Sequence, residues 1–219
     1  MSVREKFHYD LKTLRQKLIE IGSLTEIALS KSIDAFQSKN IDRALEVLDD
    51  DSKVDLLDEE INDFAILLIA KQQPVAIDLR RIIVAIKIST DVERIADFAV
   101  NIAKATIRIG EQPFVVPIDK IVRMHQIALE MLSLGLKAYY EEDVVLAKKV
   151  ADMDDEVDHL YGQTIKELLQ TTQTNSEAIS QITQLSFISR YIERVADHAT
   201  NIAESVFYLV KGRHYDLND

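Results

Sequence analysis

The chain has 219 residues, 47% hydrophobic and 29% charged, which is the profile of a soluble globular protein and excludes a disordered one. A net charge of −11 removes the basic footprint of a nucleic-acid binder, so no nucleic-acid partner is expected. The absence of cysteine excludes a disulfide framework and thiolate metal sites, and it fits a reducing compartment.

Five glycines and three prolines are few for this length, so turns are few and helices long. The opening MSVREKFHYD is polar, so no signal peptide is expected. The longest apolar run, FAILLIA at residues 64–70, is far short of the ~20 residues of a membrane span, so no membrane insertion is expected. Together these features predict a cytoplasmic, all-α protein.

Phe7, Leu11, Leu14, Leu18, Ile21, Thr25, Ala28 and Leu29 follow helical spacing and predict a first helix over about residues 5–38. The polar stretch SKNID carries capping residues, and a second helix follows over about 41–71. Pro74 ends that run or opens the next, a third helix over about 75–109. GEQPFVVPID, with a glycine and two prolines, is the clearest boundary in the chain. Beyond it the scheme repeats, with helices over about 117–140, 143–171 and 175–211. Thr174 and Glu177 have the spacing of a capping box for the last.

The halves align. Ala35-Phe36 corresponds to Ala138-Tyr139 and Val54-Asp55 to Val157-Asp158, both at an offset of 103 residues. ERIADFAVNIAK (93–104) returns as ERVADHATNIAE (193–204), with eight of the first eleven positions identical. The simplest architecture is an internal duplication: two tandem antiparallel three-helix bundles, residues 1–112 and 113–219.

The repeated phrase places Glu93 and Asp97 on one helical face with Asn101 a turn further on; Glu193, Asp197 and Asn201 repeat this. The apolar stripe Ile88, Val92, Ile95, Ala99, Ile102 lies roughly opposite, so one copy alone reads as a solvated face. More acids share the spacing, however. Asp51 and Asp55 continue the Ala44, Leu48 series of the second helix, and Asp154 and Asp158 continue Ala147, Ala151 of the fifth. In an antiparallel hairpin, residues equidistant from the turn lie level. Asp55 with Glu93, and Asp51 with Asp97, are equidistant from Pro74. Asp158 with Glu193, and Asp154 with Asp197, are equidistant from the TNSE break.

Each half therefore sets four carboxylates at matched heights, about 8–10 Å apart across the hairpin. Such a cluster repels itself unless it is protonated or holds a cation, and its all-oxygen ligand set suits hard metal ions. Arg94 and Arg194 follow each glutamate and are placed to neutralise the acids or to anchor them. One Glu-x-x-His spacing, Glu156 to His159, has no counterpart in the first half and does not support a di-iron oxidase. His198 reads as a packing or surface residue. No phosphate loop, nucleophile elbow or zinc-protease motif is present.

The duplicated E-R-x-A-D-x-A-x-N-I-A phrase, the acid pairs of the preceding helices and the opening FHYDLKTLRQKLIEIG resemble the PhoU family of bacterial phosphate-uptake regulators, over essentially the whole chain. The resemblance implies six long helices in two tandem bundles, and metal clusters held by Glu93, Asp97, Asp51 and Asp55 and by Glu193, Asp197, Asp154 and Asp158. Asn101 and Asn201 are further candidates, and the metal is one of Fe, Mn, Mg, Zn or Ca. It also implies a cytoplasmic, non-enzymatic negative regulator, commonly a homodimer. Such a protein is an adaptor between the phosphate-specific ABC transporter, through its ATPase subunit, and a sensor histidine kinase. Two alternatives stand beside it: an accessory protein of a low-affinity phosphate transporter, and a carboxylate-bridged metal-dependent enzyme.

Overall fold

The computed structural model describes residues 3–217, and among these there are six long helices and no strand. They are α1 (Val3–Ser38), α2 (Ile41–Gln72), α3 (Ala76–Ile109), α4 (Asp119–Glu141), α5 (Val144–Thr174) and α6 (Ile179–Lys211). A 3-10 turn, Ser176–Ala178, leads into α6. None of these helices is long and apolar enough to cross a membrane.

Local chemistry fixes the breaks. Asn40 caps α2 by accepting the Arg43 N–H at 2.9 Å, and α2 ends on Gln73 in the left-handed conformation just before Pro74. Gly110, at φ 68°, closes α3 by donating its N–H to the Thr106 carbonyl. Asp143 caps α5 with one carboxylate oxygen that accepts two N–H groups, Val145 at 2.7 Å and Leu146 at 3.2 Å. Asp143→Ala is expected to cost about 1 kcal/mol, read as a lower midpoint in urea unfolding with an unchanged slope.

The last break differs from expectation. The capping box of Thr174 and Glu177 does not form. α5 runs on through Thr174, whose hydroxyl donates back to the Thr171 carbonyl at 3.2 Å, and α6 begins at Ala178 with no side-chain cap. The carbonyls orphaned at the end of one helix take the hydroxyl that the sequence pattern assigns to the start of the next.

α1, α2 and α3 pack pairwise into one bundle, and α4, α5 and α6 into the other. The expected stripe of α3 is fully buried: Ile88, Val92, Ile95, Ala99 and Ile102 expose no surface. The two bundles share a single apolar core, because α3 and α6 lie side by side and α1 meets α4. Phe98 of α3 stacks on Tyr191 of α6 at 6.1 Å, and His198 of α6 bonds Asp91 of α3 at 2.8 Å. This puts α3 and α6, the two carriers of the duplicated phrase, at the centre of the molecule, with α2 and α5 available on either side to face their acids.

Candidate metal centres

Both hairpins bring their acids together. In the first, Asp51 of α2 is half-buried beside Asp55 and faces Asp97 of α3; burial, then these two carboxylates, push its carboxyl above the usual range. Glu93 is raised likewise by burial and by Asp97, Asp58 and Asp55, against the opposing pull of Arg94. The pairing of Asp51 with Asp97 and of Asp55 with Glu93 is the level register that equal distance from Pro74 predicts. Arg94 holds Asp97 at 2.9 Å and stands 3.6 Å from Glu93.

The second hairpin is drier. Asp154 is 8% exposed and Glu193 9% exposed. Burial, then Asp158, Asp197 and Glu193, push the Asp154 carboxyl up to about 7. Asp158 and Glu193 are raised by burial and by Asp197, with Arg190 opposing in both. Two oxygens, Asp154 Oδ1 and Glu193 Oε2, are buried with no hydrogen-bond partner. An unpaired buried carboxylate oxygen is costly, and the chemistry that relieves it is a proton or a cation.

Some residues depart from their expected places. Asp55 and Asp158 lie at the exposed rim of their clusters, more open to solvent than Asp51 and Asp154. Arg194 makes no close ion pair with its glutamate and pulls on it only after Arg190; its guanidinium stacks over Phe98 at 5.2 Å, and Arg190 takes the contact, with Nη1 2.5 Å from Glu193 Oε1. Asn201 turns to α3 and donates to Asp91 at 3.3 Å, and His198 joins it there. Asn101 is half-buried on α3. Asp58 was not anticipated: its Oδ1 accepts the Ser89 hydroxyl at 2.5 Å and its Oδ2 accepts from the Asn62 amide at 3.1 Å. The signal for it was there, three residues beyond Asp55 on the same face.

Among the described residues, no three acids or histidines stand as a ready-made ligand set for one ion. Arg94 and Arg190 occupy the carboxylates instead. The donor set still fits a hard cation: every donor is an oxygen, the groups raise one another's affinity for positive charge, and the carboxylate oxygens Asp154 Oδ1 and Glu193 Oε2 lack any partner.

A duplicated helical scaffold with a carboxylate cluster in each hairpin defines a class of tandem helical-bundle proteins. The chain matches the PhoU domain family twice, over residues 18–106 and 121–206. It is 36% identical over 99% of its length to the phosphate-specific transport system accessory protein PhoU homolog of Clostridium acetobutylicum, covering 99% of that protein. It is 30% identical to the accessory protein PhoU of Escherichia coli, over 96% of this chain and 87% of that one. The crystal structure of PhoU from Pseudomonas aeruginosa superposes with a TM-score of 0.90 at 31% identity, covering 94% of this chain and all of that one. The regulatory protein PhoU from Streptococcus pneumoniae gives 0.90 at 28% identity, over 96% and 99%. The chain belongs to the PhoU family.

Proposed function

We propose that this chain is an accessory protein of a phosphate-specific transport system: a cytoplasmic, homodimeric negative regulator that joins the ATPase subunit of the transporter to a sensor histidine kinase and binds cations at its two carboxylate clusters. The observation that carries the reading is the match, over 99% of each chain, to a relative named as a phosphate-specific transport system accessory protein.

The cation part rests on the donor set. Asp51, Asp55, Glu93 and Asp97 would hold ions in one hairpin, and Asp154, Asp158, Glu193 and Asp197 in the other. The metal supplies positive charge that the arginines now supply in part. Loaded, each cluster ties two helices of its bundle together, α2 to α3 and α5 to α6. The role is binding, not turnover.

The test is capture of the transporter ATPase and of the cognate kinase on immobilised protein, at high and at low phosphate. Retention of either partner in a phosphate-dependent manner is expected. Retention of neither at any phosphate level contradicts the adaptor.

A further inference from the structure

Far from the carboxylate clusters in character, one cavity of this acidic protein is lined with cations. It holds about 290 Å³ where the N-terminal part of α1 and the start of α3 meet the ends of α4 and α6. His8, Lys12 and Arg15 reach it from one face of α1, Arg81 from α3, and Tyr139 and Glu142 from the end of α4. Leucines close the apolar side.

The cations are unequally satisfied. Arg81 is already paired, 3.1 Å from Glu142 and 3.3 Å from Asp78. Lys12 makes no ion pair or hydrogen bond among the described residues, and Arg15 has only the face of the Tyr140 ring, at 4.3 Å. Tyr139 is 6% exposed, yet its hydroxyl makes no hydrogen bond among the described residues and is not sealed from the cavity. Burial, and Glu142 after it, outweigh the pull of Arg15 and Arg81 and push the phenol up to about 12, so it stays a donor across the physiological range.

We propose that this cavity is a binding site for a phosphate dianion, free or carried as a small phosphomonoester. Lys12 and Arg15, the two unpaired cations, match its two negative charges. A guanidinium fork matches its oxygens better than a point charge alone. The Tyr139 hydroxyl gives a neutral donor to a third oxygen. The volume exceeds that of the bare anion and leaves the leucine-lined side for an ester group. The site uses none of the carboxylates assigned to metal and stands independently of them.

The test is calorimetric titration of the purified protein with inorganic phosphate, glycerol phosphate and adenosine monophosphate, with sulfate as the competing anion. Binding of at least one phosphate species is expected, weakened about tenfold or more in Lys12→Gln and in Arg15→Gln, since each removes a charge-assisted bond to the anion. A smaller loss is expected in Tyr139→Phe, and none in Lys148→Gln, whose ion pair with Asp152 lies on the exposed face of α5. Lys12 is exposed, so its variant keeps the fold and decides the matter should Arg15→Gln unfold. Preference for inorganic phosphate assigns the free anion, and preference for either ester assigns the ester. No binding by any of the three, sulfate binding as tightly as phosphate, or binding unchanged in Lys12→Gln but lost in Asp154→Asn overturns the proposal; the last result would place the anion on a metal cluster.

Discussion

Protein freed of cations by chelation is expected to become more stable at neutral pH when Asp154 is replaced by Asn. The carboxyl of Asp154 lies at about 7 in the folded chain against 3.8 as a free side chain, through burial and then the charges of Asp158, Asp197 and Glu193. The folded state therefore keeps a proton that the unfolded chain has already lost. Below about pH 4 both states are protonated and nothing is lost. Between about pH 4 and about pH 7 stability falls as pH rises, and above that the loss is complete. The gap corresponds to a loss on the order of 4 kcal/mol. Asp51, Glu93, Asp158 and Glu193, all raised, add to it with the same sign, while Arg94 and Arg190 oppose it in their glutamates. Asp154→Asn removes one charge, keeps the shape and should recover about 2 kcal/mol at pH 8, the amide still being buried. Urea midpoints measured from pH 4 to pH 8 would show the slope flattened in the variant. An identical slope in both proteins contradicts the geometry of the second cluster.

Adding the cation back has the opposite effect on the wild type. A ligand at about a hundred times its dissociation constant contributes roughly 2.7 kcal/mol per site, and a chain of this size gains about 2–4 °C in melting temperature per kcal/mol. Two sites should therefore raise the melting temperature by roughly 10–20 °C over the chelated protein. Asp154→Asn with Glu193→Gln should start from a higher chelated value and gain only about half of that. The contrast separates a cation site from general ionic screening, which would act on both proteins alike.

The register of the acids was legible because a helix rises by a fixed step, so Pro74 and the TNSE break locate the level of every residue in the two hairpins. Asp51 opposite Asp97 follows from that alone. Of the two arginines, Arg94 neutralises its acids as the sequence predicts, whereas Arg194 yields the close contact to Arg190. Arg190 precedes Glu193 by three residues and shares its face, whereas Arg194, one residue on, is turned by about 100° toward α3. Asn201 was misplaced for a related reason. Eight residues beyond Glu193 it has rotated by about 80°, which carries it from α5 to the Asp91 side.

Asp91, the partner of Asn201 there, belongs to the other bundle, and the packing of α3 on α6 joins residues more than a hundred positions apart. Its trace in the sequence is that α3 buries Val84, Phe98, Val100 and Ala105 in addition to its one expected stripe, as a helix enclosed on several sides does. Thr174 shows the other limit. A threonine between two helices can serve either end, and the spacing to Glu177 does not say which carbonyl or N–H reaches its hydroxyl first.

The central claim, that each half carries its own cation cluster, is tested most directly by elemental quantification of protein purified without chelator. Wild type, Asp55→Ala with Glu93→Ala, Asp154→Ala with Glu193→Ala, and the fourfold variant would be measured together. Each double variant should lose the metal of its own half and keep that of the other, and the fourfold variant should carry none. The same metal content in all four proteins would contradict the assignment of both sites.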